Sequence, residues 1–314
     1  MDADGWKMKV SIVVTCYNYG KYIEKCLDSV RAQTFKDFEV IIVNDGSTDN
    51  SEEKILRYTT GENFRYIRQE NSGQACAKNT GIRNARGELI AFLDADDLWE
   101  PIKLEQQVPF FDDPEVGVVY SRSRFIDADG NAVILNFSAP YLETHSGYVT
   151  KPLFIDNFVP FSSSIVRRKC LEEFGVFDET LRMGIDWDLW LRISSKYKFV
   201  GIEDPLLVYR VGHPGQMSKN VEVRQTCSDR IMTKFLERFP GILDSRSVEK
   251  AWEYTYRNRG EYYRSKDPAM ALGFFRKALS INCFSFSTYM GIAKTILSWF
   301  RDRIQALFCP VGLT

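Results

Sequence analysis

The amino-acid sequence predicts an α/β protein with a mainly parallel sheet, followed by a helical C-terminal region. Short apolar runs alternate with helix-like segments over the first 120 residues, and these runs are almost continuously apolar. Strands that are apolar on both faces are typical of a parallel sheet covered by helices on both sides. After about residue 221 only helical patterns follow. We therefore expect two domains, residues 1–220 and residues 221–314.

Four short runs share the predicted strand composition: Val10–Cys16, Phe38–Val43, Phe64–Arg68 and Leu89–Leu93. The first run is rich in β-branched residues, and apolar residues at helical spacing follow it from Tyr22 onward. A further helix is expected over residues 73–85. Thr15, Asp45 and Asp94 fall at the carboxyl ends of three of these runs. Since ligands of parallel sheets gather at that edge, these side chains mark a candidate site.

The rest of the chain is first mixed and then helical. Val116–Tyr120 and Leu206–Tyr209 are predicted strands, and Asp186–Ser195 is a predicted helix. Four helical segments follow, over residues 222–238, 247–265, 268–280 and 287–308. The last segment predicts an amphipathic, mildly basic helix, because four apolar residues recur at every fourth position: Ile292, Ile296, Phe300 and Ile304. We expect this stripe to dock on the core; peripheral membrane contact through residues 291–308 is the alternative.

Composition narrows the class of protein. Of 314 residues, 44% are hydrophobic and 26% are charged, which is ordinary for a globular chain and excludes a disordered one. Lys plus Arg (41) nearly equals Asp plus Glu (42), so a nucleic-acid binder driven by phosphate contacts is not expected. The polar N-terminus and the seven scattered cysteines predict a cytoplasmic protein, with peripheral contact at the inner face of the cell membrane as an extension of that prediction.

The motif Asp94-Ala95-Asp96-Asp97 is the sharpest chemical feature of the sequence. Three carboxylates at a strand end repel one another unless a cation lies among them. Hard oxygen ligands of this kind select Mg²⁺ or Mn²⁺, either of which can also bridge a diphosphate. The competing interpretation is an acidic turn in which Asp97 caps the following helix.

Three further residues are candidates for the site. Asp45 lies in a turn-forming stretch but directly follows a strand, so its carboxylate can accept a hydrogen bond from a nucleotide base. Asp186 opens an aromatic-rich helix and is a candidate general base, although aromatic residues at this spacing are more often core residues. Asp188 and Arg192 are spaced for a salt bridge. His213 follows a predicted strand and is a candidate metal ligand.

Taken together, these segments resemble a family 2 glycosyltransferase of the GT-A fold over roughly residues 8–218. The resemblance is carried, in order, by VSIVVTCYNYGKYIEKCLDSVRAQTF, FEVIIVNDGSTDNS, ENSGQACAKNTGIRNARGELIAFLDADD, FGVFDETLRMGIDWDLWLR and YRVGHPGQMS. It implies that five residues bind the donor nucleotide: Thr15, Tyr17, Asp45, Lys78 and Asp94. It further implies Asp96 and His213 as ligands of Mn²⁺ or Mg²⁺, and Asp186 as the catalytic base. Ile185 stands where the family usually has Glu.

The resemblance implies an inverting transfer of a hexosyl or N-acetylhexosaminyl group in polysaccharide biosynthesis. The donor would be a nucleoside-diphosphate sugar, of which UDP sugars are the first expectation, and the acceptor a hydroxyl of a glycan or lipid-linked molecule. Two alternatives stay open. A nucleotidyltransferase has a similar nucleotide-binding domain and carboxylate site, and a non-catalytic glycan-binding relative keeps the fold without the reaction.

Overall fold

The computed structural model describes residues 8–61, 63–134, 144–216 and 220–308, with side chains as far as residue 301. Residues 217–219, which include the end of the last resembling segment, lie outside this range, as does the side chain of Ile304. By contacts the chain divides into two compact units, Met1–Leu153 with Asn157–Phe239, and Phe154–Asp156 with Pro240–Thr314. The predicted domain boundary at residue 220 stays a prediction.

One sheet forms the centre of the first unit. Nine strands of the described residues belong to it: β1 (Met8–Cys16), β2 (Phe38–Asn44), β3 (Phe64–Arg68), β4 (Gly87–Asp94), β5 (Leu98–Trp99), β6 (Val116–Ile126), β7 (Ala132–Val133), β8 (Ile165–Arg167) and β9 (Lys198–Arg210). Their order across the sheet is β3-β2-β1-β4-β8-β6-β9-β5, with β7 paired to β6. The six predicted strands correspond to β1, β2, β3, β4, β6 and β9.

The sheet has a parallel half and a mixed half. The strands β1 to β4 are parallel neighbours, as the apolar runs predict. Beyond them β8 is antiparallel to both β4 and β6, whereas β6 and β9 run parallel. The sequence did not predict β8, because a strand of three residues is too short to show a period. The α/β fold class is confirmed, with the continuous parallel arrangement confined to the first four strands.

Helices cover this sheet and also form most of the second unit. Those of the described residues are α1 (Ile23–Arg31), α2 (Ser51–Leu56), α3 (Gln74–Asn84), α4 (Lys103–Gln107), α5 (Thr150–Ile155), α6 (Arg168–Phe174), α7 (Ile185–Ser194), α8 (Val221–Arg238), α9 (Ser245–Tyr263), α10 (Pro268–Ile281) and α11 (Phe286–Phe308). A short 3-10 helix spans Phe161–Ser163. Gly81 lets α3 approach β1 closely, since a Cβ there would lie 2.3 Å from Val13 Cγ1. This close packing fixes α3 against the strand that ends at the candidate site.

The start of α7 depends on one glycine. Gly184 precedes the helix with a φ of +71°, in the left-handed region that other residues rarely adopt. A Cβ at this position would also lie 2.9 Å from Ile231 Cδ1 on α8. Gly184 therefore sets both the first turn of α7 and its packing against α8.

The second unit is built around Phe275 of α10. This side chain is fully buried, and a Cβ on Gly260 of α9 or Gly291 of α11 would lie 2.6 Å from its ring. The glycines thus create the space that the ring fills. Asp244 and Asp267 cap α9 and α10 by accepting hydrogen bonds from backbone N–H groups.

The packed face of α11 differs from the sequence prediction. As far as residue 301, its buried positions are Thr288, Gly291 and Thr295; of the predicted docking stripe, Ile292 is half-buried, and Ile296 and Phe300 are exposed. The small residues pack inward because Phe275 already fills the space beside Gly291. Docking through the predicted stripe is therefore wrong. Within the described residues, none of the helices is both long and apolar enough to cross a membrane.

Candidate active site

The carboxyl ends of the parallel strands bring three predicted residues together. Thr15 of β1 is the register partner of Asp94 of β4, and their Oγ1 and Oδ1 atoms are 3.5 Å apart. Lys78 reaches the same point from α3 and donates from Nζ to Asp94 Oδ1 at 2.7 Å and to Thr15 Oγ1 at 3.4 Å. These contacts define a polar cluster at the sheet edge.

Lys78 is 3% exposed, and its surroundings suit a buried ammonium group. Besides the ion pair with Asp94, Nζ lies 4.4 Å from the ring centroid of Phe161, so the π-face adds a favourable interaction. A buried cation without such partners would be strongly unfavourable. Asp94 keeps about a third of its side chain exposed, so the cluster is open to a ligand on its carboxylate side.

Asp96 and His213 form the second polar contact of the site. His213 is fully buried, and its Nε2 lies 2.9 Å from Asp96 Oδ2. The other ring nitrogen, Nδ1, lies 2.9 Å from the carbonyl oxygen of Pro214, which can only accept, so Nδ1 carries a proton. The hydrogen bond to Asp96 raises the pKa of His213 above its ordinary value. Tyr19 and Tyr22 pack edge-on against the imidazole and hold its plane.

The separation of this pair is compatible with two adjacent ligands of one divalent cation. In an octahedral site with bonds of about 2.1 Å, neighbouring ligands are about 3 Å apart, close to the separation of Oδ2 and Nε2. Among the described residues no three His, Cys, Asp or Glu side chains are grouped to hold a metal by themselves. Mg²⁺ is usually held by one or two carboxylates together with phosphate oxygens and water, and this pair would supply one carboxylate and one imidazole.

Asp97 is a structural member of the acidic motif. It is buried, and its Oδ1 accepts a hydrogen bond from the backbone N–H of Arg210 at 2.9 Å. Burial, and next the neighbouring Asp96, raises the pKa of Asp97 well above its ordinary value. The Arg210 guanidinium donates to the backbone carbonyl oxygens of Asp96 and Asp127 and lies over the Tyr22 ring. Arg210 thereby fixes the backbone that presents Asp96.

Asp45 and Tyr17 are the remaining two predicted nucleotide-binding residues. The Asp45 carboxylate is buried and accepts three hydrogen bonds, from Gln69 Nε2 at 2.7 Å and from the backbone N–H groups of Ser72 and Gly73. It therefore holds the loop that leads into α3. Tyr17 lies just after β1, and its side chain is exposed. For both residues a contact with the donor base stays a prediction.

Asp186 lies in the first turn of α7 and is half-buried. Burial raises the pKa of its carboxyl group above the ordinary aspartate value. Backbone N–H groups of the first turn, Asn157 and the positive charge of Lys78 act in the opposite direction and favour the carboxylate. Asn157 Nδ2 donates to Asp186 Oδ2 at 2.8 Å, which fixes the orientation of the carboxylate. A carboxylate that is oriented and made more basic by burial can act as a proton acceptor.

The predicted salt bridge between Asp188 and Arg192 is confirmed. Both side chains are buried, and Arg192 Nη2 and Nε donate to Asp188 Oδ2 at 2.8 and 3.0 Å. Lys234 of α8 approaches the other oxygen at 3.5 Å. Asp188 thus faces structural cations, whereas Asp186 faces Asn157. Ile185, which replaces the usual Glu of the resembling family, is buried.

Several residues of the site were not predicted from the sequence. Asn157 orients Asp186, Ser162 Oγ accepts from the Asp94 backbone N–H at 3.2 Å, and Arg210 fixes the acidic loop. Asn157 and Ser162 lie in a segment with no periodic pattern, so no signal was available for them. Arg210 directly follows the predicted strand Leu206–Tyr209 and is the last residue of β9; its place after a strand is a signal that it shares with Asp45.

The mixed sheet covered by helices, with a helical region after it, has the architecture of GT-A type glycosyltransferase structures. The chain belongs to glycosyl transferase family 2, whose sequence model matches residues 11–175, more than half of its length. An uncharacterised glycosyltransferase of Rickettsia conorii is 30% identical over 229 residues, which are 72% of this chain and 38% of that protein. The chain thus spans well under half the length of this relative.

Solved structures show the same fold at low sequence identity. Staphylococcus aureus TarS 1–349 in complex with UDP has a TM-score of 0.64 at 20% identity, covering 98% of this chain and 94% of that chain. The mannosyltransferase PcManGT from Pyrobaculum calidifontis, in complex with GDP-Man and Mn²⁺, has a TM-score of 0.63 at 19% identity. That similarity covers 93% of this chain and 81% of the mannosyltransferase. At about 20% sequence identity, these structural similarities show that the chain shares the fold of both proteins, and they show the fold alone.

Proposed function

We propose that this chain is an inverting, metal-dependent glycosyltransferase. It transfers a hexosyl or N-acetylhexosaminyl group from a nucleoside-diphosphate sugar, with UDP as the first expectation, to a hydroxyl of a glycan or lipid-linked acceptor. We assign transfer to residues 1–220 and a helical supporting region to residues 221–314. The observation that carries the proposal is the clustering of Lys78 with Asp94 beside an Asp96–His213 pair at one sheet edge.

Donor binding is assigned to the polar cluster and its neighbours. The Asp94 carboxylate, held by Lys78 and Thr15, can accept hydrogen bonds from ribose hydroxyls. Tyr17 offers an exposed ring beside the strand end, against which a base can stack. Asp45 holds the loop before α3 and is the candidate partner for a base N–H. TarS in complex with UDP and PcManGT in complex with GDP-Man share this fold, which supports a nucleotide-linked donor for this chain.

Asp96 and His213 are proposed to hold Mn²⁺ or Mg²⁺. Bound there, the cation would offset the negative charge that develops on the departing diphosphate. Pro214 fixes a proton on Nδ1, so Nε2 is the ring nitrogen that would bind the cation; with a cation bound, His213 would be neutral, and without one the hydrogen bond to Asp96 favours a proton on Nε2. Two acceptors that face each other at 2.9 Å are unfavourable unless a proton or a cation lies between them. The complex of PcManGT with Mn²⁺ supports a divalent cation in this fold, and the choice of Asp96 and His213 rests on their separation alone.

Asp186 is the proposed general base. As the acceptor oxygen attacks the anomeric carbon, its proton passes to Asp186, and the bond to the diphosphate breaks on the opposite face. A single displacement of this kind inverts the anomeric centre and needs no covalent sugar–enzyme intermediate. Asn157 and the first-turn N–H groups hold the carboxylate in place, and the positive charge of Lys78 favours the ionised form of Asp186.

Donor and metal requirements can be tested on the purified chain. We expect UDP or a UDP sugar with Mn²⁺ to raise the melting temperature, because a ligand that binds only the native state stabilises it. Release of UDP in the presence of acceptor should stop with excess EDTA and return with Mn²⁺. Asp96→Asn should lose both responses. Glu53→Gln, which neutralises an exposed carboxylate on α2, is the matched control and should keep them.

Other outcomes would contradict specific parts of this proposal. Full turnover in excess EDTA would contradict the metal requirement. Diphosphate release from a nucleoside triphosphate and a sugar phosphate would assign a nucleotidyltransferase instead. Nucleotide binding without turnover across a panel of sugars and acceptors would indicate a non-catalytic relative.

A further inference from the structure

The helix α11 exposes large apolar side chains and buries small ones, which is the opposite of an ordinary surface helix. Among its described side chains, the buried positions are small, namely Thr288, Gly291 and Thr295, whereas seven large apolar residues are exposed and Ile292 is half-buried. Six of these exposed residues form what we call the outward face of α11: Phe286, Tyr289, Met290, Ile296, Leu297 and Phe300. Surface helices normally bury their large apolar residues, so this arrangement requires an explanation.

The outward face is continuous and lies opposite the packed face. At about 100° per residue, its six members occupy a sector of about 120° centred roughly half a turn away from the three buried positions. Phe286, Leu297 and Phe300 are 76%, 69% and 54% exposed. Phe284, in the turn before α11, is 90% exposed and extends the apolar surface at its N-terminal end. Apolar surface gathered in this way marks an interaction site.

Charge indicates which partner suits this surface. Lys294 and Arg301 are exposed and lie two turns apart along one border of the outward face. From Phe286 to Arg301 the helix sequence contains no Asp or Glu, and the one acid in the sequence of α11, Asp302, occupies a helical position about half a turn from the centre of the outward face. A second copy of the same face would bring cations toward cations with no acid to pair with them. An anionic lipid surface satisfies both features, since it accepts apolar side chains and attracts Lys and Arg at their border.

We propose that the outward face of α11 binds the surface of an anionic phospholipid bilayer, with the helix lying in the interface. The described helices include none that can cross the bilayer, so the contact is peripheral. Leu297 and Phe300 enter the acyl boundary, while Lys294 and Arg301 contact lipid headgroups. This proposal depends on α11 alone and is independent of the proposed transfer reaction.

Vesicle flotation of the full chain tests the proposal. We expect the protein to float with phosphatidylcholine vesicles that contain phosphatidylglycerol, and more weakly with phosphatidylcholine alone. The double variant Leu297→Ser/Phe300→Ser should lose binding by roughly tenfold or more, since two apolar anchors are removed. Lys294→Glu should remove most of the preference for anionic vesicles. Ile134→Ser is the matched control, because it removes an aliphatic side chain that is 89% exposed outside α11.

Unchanged melting temperatures would show that the variants are folded. The proposal is overturned if the wild type does not float with either vesicle, or if the double variant floats as well as the wild type. A wild-type dimer that the double variant converts to a monomer, without flotation, would instead assign the face to self-association. Loss of binding in Ile134→Ser to the same degree would also overturn the assignment to α11.

Discussion

At the scale of single residues, α7 carries two carboxylates with opposite surroundings. Asp186 is half-buried, faces Asn157 and has its pKa raised by burial. Asp188 is buried between Arg192 and Lys234 and is neutralised by them. Two residues along a helix differ by about 200°, so these carboxylates face different parts of the molecule. This difference separates the proposed base from a structural ion pair.

Replacing Asp186 with Asn should remove the basicity and keep the shape. The amide oxygen can still accept the hydrogen bond from Asn157, so donor affinity should hardly change. The chemical step should slow by roughly 100-fold or more, as measured by UDP release at saturating donor. The folded pKa of Asp186 is raised, so its ionised form destabilises the fold at neutral pH, and this effect disappears as pH falls through that pKa. Since Asn removes this unfavourable charge, the melting temperature at pH 7 should not fall in Asp186→Asn. Normal turnover in Asp186→Asn would contradict the role of Asp186 as the general base.

Replacing Asp188 with Asn should act on stability. The change leaves the buried Arg192 guanidinium without its charge partner, which costs about 3 kcal/mol or more in the free energy of unfolding. Denaturant unfolding measures this loss, and turnover per folded molecule should stay close to that of the wild type. If Asp188→Asn keeps its stability and loses turnover, the two roles are exchanged and the assignment along α7 is wrong.

The residues that sequence could locate are those that follow strong patterns. Asp94, Asp96 and Asp45 were found because each follows an apolar strand, and the register between β1 and β4 brings Thr15 beside Asp94.

Lys103 shows the opposite case. It lies in a polar stretch that predicts exposure, yet it is fully buried, with Nζ 4.0 Å from the Trp99 ring centroid and donating to Gln107. Such burial depends on tertiary neighbours that no local pattern contains.

At the scale of elements, the position of the proposed base depends on how α7 begins. Gly184 adopts a φ of +71° and lies against Ile231 of α8. The sequence predicted the helix from its aromatic spacing, and the start was correct to within one residue. Its contact with α8 was not predictable, because helical spacing defines the faces of a helix and not its neighbours. Likewise, Phe161–Ser163 supports the acidic motif from a segment too short to show a period.

Gly184→Ala should therefore disturb both the backbone and the packing at the start of α7. The positive φ disfavours any side chain by about 1 kcal/mol or more, and the new Cβ meets Ile231 at 2.9 Å. We expect a lower melting temperature together with reduced kcat, because the first turn carries Asp186. The double variant Gly184→Ala/Ile231→Val tests the packing part, since it shortens the side chain that the Cβ meets and should recover some stability. Full activity and stability in Gly184→Ala would contradict this account.

At the scale of the whole molecule, the chain divides by contacts into two compact units. The sequence predicted a helical C-terminal region, and the predicted segments agree with α8 to α11 within a few residues. Contacts assign α8 to the first unit, since Lys234 joins Asp178 and Asp188 there. A periodic pattern could not reveal this, because α8 has the same helical signature as the helices that follow it.

The division into two compact units predicts that each unit responds separately to perturbation. Phe275 is fully buried between Gly260 and Gly291 of the second unit, so Phe275→Ala should destabilise that unit by about 3–5 kcal/mol. Calorimetry should then show an early transition for the second unit. UDP with Mn²⁺ should raise only the other transition, because the proposed donor site lies in the first unit. The converse control is Ile55→Ala, which creates a cavity at the buried face of α2 in the first unit. This variant should lower the temperature of the ligand-sensitive transition. A single transition that Phe275→Ala and the nucleotide both shift would mean that the two units unfold as one cooperative structure.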